Sequence, residues 1–335
     1  MFSKLKQKVK NFIQDRAIIL MYHQVCAKPS DPWDMAVTPA CFEEQLRYIT
    51  RNFDVVPLDE LAAQMRRKKI RRRLLAVTFD DGFRDNFTTA RPLLEAYHVP
   101  ATFYVATHAM PSGVYWWDEL EQLILHTAVL PPTLKLNSLH TFKFEFLKHA
   151  ELDEKLAAQI RAWKAGAALI NERVALFYAL WALLRPLPFN SQQAVMQHLR
   201  SWAGVYSLDR TYAEVMTFDE MLRLADNPLF SIGAHTVHHT FLSAHSAEGQ
   251  AFEVIESKKT IESWLGRTIT GFAYPYGNYN STTKNVLHES GFQYAVSTVS
   301  RPLTQNDDLF EMPRIQVRNV RDKQFATEIH QLLAI

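Results

Sequence analysis

Residues 74–79, Leu74-Leu75-Ala76-Val77-Thr78-Phe79, make an apolar run of strand length that stops at Asp80-Asp81-Gly82. An apolar run bounded by a turn signal predicts a strand covered on both faces, as in a parallel sheet. The pattern recurs along the chain. Residues 16–21 run into Tyr22-His23, residues 230–234 into His235, and residues 269–274 into Pro275-Tyr276-Gly277. Residues 99–105, 294–299 and 312–317 complete the set. Helical periods separate these runs. Thr38-Pro39 opens a helix with Phe42, Leu46 and Ile49 on one face, and Leu58, Leu61 and Met65 mark the next. Phe87, Ala90, Leu93, Leu94 and Tyr97 predict a helix bent by Pro92. Val254, Ile255, Ile261 and Leu265 share a face that Gly266 ends, and Ser281 caps a helix that Gly291 closes.

Between residues 113 and 227 the alternation stops, and the pattern turns helical and loop-like. Ile160, Trp163, Ala167, Ile170, Val174, Phe177, Trp181 and Leu184 recur at spacings of three and four. They predict one long apolar stripe or two helices in line, with Gly166 a weak point. The chain therefore divides into a basic amphipathic segment over residues 1–16, a split α/β domain over 17–112 and 228–335, and a helical insertion over 113–227. Without the insertion about 220 residues remain, close to the roughly 250 of an α/β barrel. Strands each followed by a helix or long loop suit a parallel barrel or an open sheet.

Charge and cysteine usage narrow the setting. The 335 residues carry a net charge of only +2, which gives no reason to expect a nucleic-acid partner. Cys26 and Cys41 form no disulfide framework and no metal spacing. No stretch reaches the roughly 18 apolar residues of a membrane span. Phe2, Leu5, Val9, Phe12 and Ile13 fall on one helical face, with lysines at 4, 6, 8 and 10 mostly elsewhere. Such a helix suits either packing on its own domain or the surface of an anionic membrane. The expected placement is cytoplasmic, peripheral if the helix meets lipid.

In parallel α/β folds chemistry sits at the carboxyl ends of the strands. Here those ends carry His23, Asp80 with Asp81, His235 with His239, Tyr276 and Arg314. Two adjacent carboxylates repel, so one needs a cation, a proton or open water; a surface turn is the plain alternative. His235 and His239, four apart, share a face if the turn is helical. With one carboxylate they make a His₂–carboxylate set, common for catalytic zinc and also suited to iron(II).

Thr78-Phe79-Asp80-Asp81-Gly82 with His235-Thr236-x-x-His239 resembles the polysaccharide deacetylases of carbohydrate esterase family 4, the NodB-homology domain. Leu20-Met21-Tyr22-His23, Phe272-Ala273-Tyr274-Pro275-Tyr276-Gly277 and Pro313-Arg314-Ile315 extend the likeness from residue 18 to about 317, the insertion excepted. The resemblance implies a distorted parallel (β/α) barrel. It implies that Asp81, His235 and His239 bind a divalent metal, zinc first, with Co²⁺, Ni²⁺ or Fe²⁺ as other occupants. Asp80 would be the general base for the attacking water, and the Tyr276 backbone N–H would face the oxyanion. In the branch with a Met-Tyr-His strand, His23 would give a proton to the leaving amine. Many members carry an arginine where Ala273 stands, and Arg314 is the candidate replacement. His238 makes the second histidine ligand ambiguous by one residue; family spacing selects His239. Tyr22, Tyr274 and Pro275 are candidate substrate-binding residues, with Trp33, Trp116 and Trp117 as further stacking faces.

The implied activity is removal of an N-acetyl group from an acetylated amino sugar in a polysaccharide, oligosaccharide or glycan precursor. A metal amidohydrolase for a small non-sugar amide and an inactive glycan-binding module are the alternatives. The insertion, lying between strands, could cap the mouth of the site.

Overall fold

The computed structural model describes residues 16–71, 73–136, 142–207 and 209–334. The amphipathic segment expected over residues 1–16 lies outside them except for Arg16, which opens the first strand. Two compact units emerge, one of residues 1–27, 35–111 and 215–335, the other of residues 28–34 and 112–214. No helix among the described residues is long and apolar enough to cross a membrane.

The first unit holds the sheet. Its strands are β1 (Arg16–Tyr22), β2 (Asp54–Val55), β3 (Leu74–Phe79) and β4 (Ala101–Val105), then, after the second unit, β7 (Phe230–Ala234), β8 (Gly271–Ala273), β9 (Tyr294–Val296), β10 (Leu303–Thr304) and β11 (Ile315–Gln316). Strands β1, β3, β4, β7, β8 and β9 run parallel, side by side in that order. Every residue of β3 and β4 is buried, so their near-continuous apolar sequences follow from cover on both faces.

Residues 312–316 close the ring. Met312 bridges Val296 of β9 in parallel, and Ile315–Gln316 pairs in parallel with Leu20 and Met21 of β1. The result is a (β/α) barrel, distorted because its last stave is two short contacts rather than a full strand. Strand β10 adds an antiparallel edge at Arg16 and Ala17.

Helices α1 (Pro39–Asn52) and α2 (Leu58–Arg66) link β1 to β3. Between β3 and β4 stand a π turn over Asn86–Ala90 and α3 (Arg91–Ala96). The helical path runs unbroken over residues 84–96, and the π turn stands immediately before Pro92, where the Arg91 N–H reaches back to the Asn86 carbonyl, so the expected helix forms with its irregularity at the proline.

The second unit contains α4 (Trp116–Glu121), an antiparallel hairpin of β5 (Thr133–Leu136) and β6 (Phe142–Glu145), α5 (Glu154–Ala162), α6 (Glu172–Leu184) and α7 (Phe189–Ala203). The stripe read from Ile160 to Leu184 is two helices. Trp163 turns extended after α5, Gly166 sits at φ +91°, and Asn171 caps α6 through the Val174 N–H. Trp116 and Trp117 are buried in this unit's own core, and half-buried Trp33 packs 4.4 Å from Trp181.

Returning to the first unit, α8 (Phe218–Ala225) carries a capping box between Thr217 and Glu220 and leads into β7. Helix α9 (Ala247–Leu265) joins β7 to β8, and α10 (Ser281–Glu289) joins β8 to β9. Asn280, one residue before the expected Ser281, caps α10. The last helix, α11 (Asp322–Ala334), lies on α1, with the Phe325 and Tyr48 rings 5.7 Å apart.

Candidate active site

Strand β3 delivers two carboxylates and then must turn. Asp81 at φ +72° and Gly82 at φ +68° both adopt the left-handed conformation. For Asp81 this costs on the order of 1–3 kcal/mol, which the surrounding contacts must offset. A Cβ on Gly82 would come within 3.0 Å of Val105, so glycine answers both to the dihedral and to the space.

The turn sends the two carboxylates to different partners. Arg314, fully buried on the closing segment, meets Asp80 as a fork, Nη1 to Oδ1 at 2.7 Å and Nη2 to Oδ2 at 2.6 Å. Its remaining donors go to Thr78 Oγ1 at 3.2 Å and the Ser297 carbonyl at 3.0 Å. Burial opposes ionisation of Asp80, but the Arg314 charge outweighs it, with help from His235 and His23, and holds the carboxyl below its ordinary range. The arginine missing at Ala273 thus has its counterpart on a neighbouring stave. Arg314 was expected among the catalytic residues. The structure places it, wholly enclosed, on Asp80, Thr78 and Ser297, as the candidate replacement for the arginine that holds Asp80 would stand.

Asp81 faces the two histidines. His235 Nε2 lies 3.5 Å and His239 Nε2 3.2 Å from Asp81 Oδ1. The ligand atoms of the three residues all fall within 4.8 Å of one another, and all three side chains are buried. His235 Nδ1 lies 2.8 Å from the Ala273 carbonyl, which can only accept, so Nδ1–H donates there and Nε2 is the ring nitrogen turned to Asp81. Donors about 2.0–2.1 Å from a tetrahedral zinc stand roughly 3.3 Å apart. The distances of 3.5 and 3.2 Å from the histidines to Asp81, and the donor types, suit such an ion. Burial also pushes the His239 imidazole below its usual pKa, towards the neutral form a metal needs. For Asp81 burial works against charge, yet His239 and His235 prevail and keep the carboxyl far below its ordinary range.

The local path that joins the histidines is not helical. Residues 235–239 form a bend in which Thr236 (φ +67°) and His239 (φ +56°) are left-handed. The imidazoles still meet, with ring centres 4.8 Å apart. His238 points elsewhere, its Nδ1 2.7 Å from Glu253. The ambiguity between His238 and His239 is thereby resolved in geometry: only His239 stands beside Asp81 and His235.

His23 follows β1 and is half-buried. Its Nδ1 is buried with no hydrogen-bond partner among the described residues. Two residues that sequence reasoning missed hold this stretch. Asn86 donates to the His23 carbonyl at 2.7 Å, and Asp85 accepts the Val25 N–H at 2.9 Å. Burial pushes the Asp85 carboxyl up to about 6, against the Val25 and Asn86 donors that favour its charge. Tyr276 is left-handed at φ +58°, with its ring 4.5 Å from His239.

Three expected substrate-binding residues lie in the core. Tyr22 is 1% exposed, and its hydroxyl donates to Gln45 at 3.1 Å. Tyr274 is fully buried, with its hydroxyl on the Phe310 carbonyl at 2.7 Å. Pro275 is buried beside it. These rings serve packing, and none presents a face to a sugar. Trp116 and Trp117, buried in the other unit, are corrected in the same way.

Residues 67–129 and 190–295 match the polysaccharide deacetylase family model, together just over half of the chain. The chain belongs to the polysaccharide deacetylase family. Its fold is shared by solved deacetylases at low identity. The Streptococcus pyogenes deacetylase PplD in complex with acetate superposes with a TM-score of 0.55 at 17% identity, over 96% of this chain and 99% of that one. IcaB from Ammonifex degensii gives 0.57 at 16% identity, over 96% and 98%. By sequence, the provisionally named polysaccharide deacetylase YxkH of Bacillus subtilis (strain 168) is 26% identical over 102 residues, 30% of this chain and 36% of that relative. The match thus spans about a third of the curated relative's length. In this member of the family the Asp81–His235–His239 cluster and the Asp80–Arg314 pair occupy the carboxyl ends of β3 and β7 and the closing segment.

Proposed function

We propose that the protein is a divalent-metal-dependent hydrolase that removes N-acetyl groups from an acetylated amino sugar in a polysaccharide, oligosaccharide or glycan precursor. One observation carries the reading. Of two adjacent carboxylates, Asp81 joins His235 and His239 in a metal-competent cluster, while Asp80 is held ionised beside it by Arg314.

Asp81, His235 and His239 would hold the ion, and zinc suits their donor set best. When bound, the ion acidifies water and polarises the acetyl carbonyl. Asp80 accepts the proton of the attacking water, its carboxylate fixed in place by the Arg314 fork. The Tyr276 backbone N–H stabilises charge on the carbonyl oxygen. His23 gives a proton to the nitrogen as the carbon–nitrogen bond breaks, leaving acetate and the free amine. We place the protein in the cytoplasm, in peripheral contact with anionic lipid through residues 1–16 and the basic run that precedes β3.

Acetate release tests the substrate class. N-acetylglucosamine oligomers should yield acetate, whereas O-acetylated sugars and small non-sugar amides should yield little. Release from small amides alone would assign the site to amidohydrolysis outside sugars. No release from any acetylated sugar would count against the reading altogether.

A further inference from the structure

The bend that carries two of the proposed metal ligands is costly to hold. Thr236 and His239 are both left-handed, and the chain leaves β7 there without continuing as strand or helix. Two sets of contacts hold it. From the end of β4, the Thr107 N–H donates to the Thr236 carbonyl at 3.2 Å and the His108 N–H to the Val237 carbonyl at 2.9 Å. From α9, one carboxylate takes the opposite side of the same peptides. Glu253 Oε2 accepts the Val237 and His238 N–H groups, both at 2.9 Å, and Oε1 lies 2.7 Å from His238 Nδ1.

We infer that Glu253 is a positioning residue for the metal site, a carboxylate clamp on the 237–238 backbone that sets the approach of His235 and His239 to Asp81. It rests on the reading that those three residues bind the ion. Glu253 is 7% exposed, so its three contacts are not exchanged cheaply for water. An ordinary helix-to-loop tether needs one such bond. Here a single side chain satisfies two successive amides and orients the histidine that is not a ligand, His238, so that it turns away from Asp81. The 235–239 bend is thereby pinned between β4 and α9, with His235 tied separately to the Ala273 carbonyl.

The test is Zn²⁺ affinity, measured by competition with a chromophoric chelator on the full chain, alongside amide hydrogen exchange at Val237 and His238 in the metal-free protein. Glu253→Asp withdraws the carboxylate by one methylene. It should weaken Zn²⁺ binding about tenfold or more and speed exchange at both amides, with far-UV circular dichroism unchanged. Glu253→Gln keeps an acceptor of the same reach and should restore affinity to within a few-fold of wild type. Should Glu253→Asp fail to fold, the Gln variant against a His238→Ala variant serves instead. His238→Ala keeps the two backbone contacts and should bind Zn²⁺ as wild type does. Wild-type affinity and exchange in a folded Glu253→Asp protein would overturn the clamp, as would His238→Ala losing the metal. A wild-type protein that binds no Zn²⁺ but shows the expected exchange pattern would instead refute the metal reading and leave the backbone clamp standing.

Discussion

Two carboxylates placed side by side in a buried turn cannot both be ordinary acids, and their different partners assign them different work. Asp81→Asn should lose bound metal, because a neutral amide is a poor ligand for a divalent cation. Asp80→Asn should keep the metal and lose about 10²–10⁴ in turnover, having lost only the base. Metal content and acetate release of the purified variants check both. His239→Ala should behave as Asp81→Asn does. The pair could be suspected from its place after an apolar strand. The split of roles between the two came from the family resemblance and not from the residues alone, since the contact that separates them is made by an arginine 234 positions away. Titration separates the acids again. Asp80 and Asp81 have depressed pKa values, so their stability contribution is present above the ordinary carboxyl value of about 3.9 and is lost as pH falls below it. Asp85 has the opposite sign. With its pKa raised to about 6, its contribution is full below about pH 4 and is lost as pH rises through 6. Between pH 4 and 7 the urea midpoint of wild type should therefore lose ground to that of Asp85→Asn, which keeps an acceptor for the Val25 N–H. An identical slope in the two proteins would show that Asp85 does not titrate there.

The decisive element is the short closing segment, expected as a strand over residues 312–317 and formed as Ile315–Gln316 with one bridge at Met312. Ile315–Gln316 makes only two pairs with β1, and Met312 a single bridge to β9, yet these place Arg314 over Asp80. Removing the guanidinium leaves a buried carboxylate without its cation. Arg314→Met should cost roughly 3–5 kcal/mol in urea unfolding, and adding Asp80→Asn should recover much of it. No recovery in the double variant would mean that Arg314 acts mainly through Thr78 and Ser297. Elements were legible where their signal was long. β3 and β4 ran apolar from end to end and formed as expected. The strand expected over residues 269–274 shrinks to Gly271–Ala273, since pairing with two neighbours, not hydropathy, sets its ends. Between 113 and 227 the hairpin β5–β6 went unread, its four-residue alternations too short to stand out against helical spacing. The HxxxH spacing pointed to two imidazoles that do meet, but on a helical premise that the bend does not keep. Proximity came from two left-handed residues in a bend, which side-chain spacing does not encode.

At the scale of the barrel unit, its two ends face different tasks. Ile18 pairs with Leu75, so β1 and β3 begin side by side at the amino-end face. The run Arg66, Arg67, Lys68, Lys69, Arg71 and Arg73, which precedes β3, is exposed at each of these positions. Site residues lie at the carboxyl ends. Contact with lipid through the basic face would turn the site away from the bilayer, so the sugar would be soluble or stand well off the membrane. Each basic residue near an anionic surface adds about 1 kcal/mol, screened by salt. Co-sedimentation with anionic vesicles should occur at low salt, vanish at high salt and be absent with neutral lipid; no binding to either lipid would remove the membrane from the account. The most direct test of the central claim is acetate release from an N-acetylglucosamine oligomer, followed as Zn²⁺ is added back to chelated protein. The account predicts no release without metal and a rise that breaks at one equivalent per chain, with Asp81→Asn flat throughout. Full release from the metal-free protein, or an Asp81→Asn variant that responds like wild type, would contradict it.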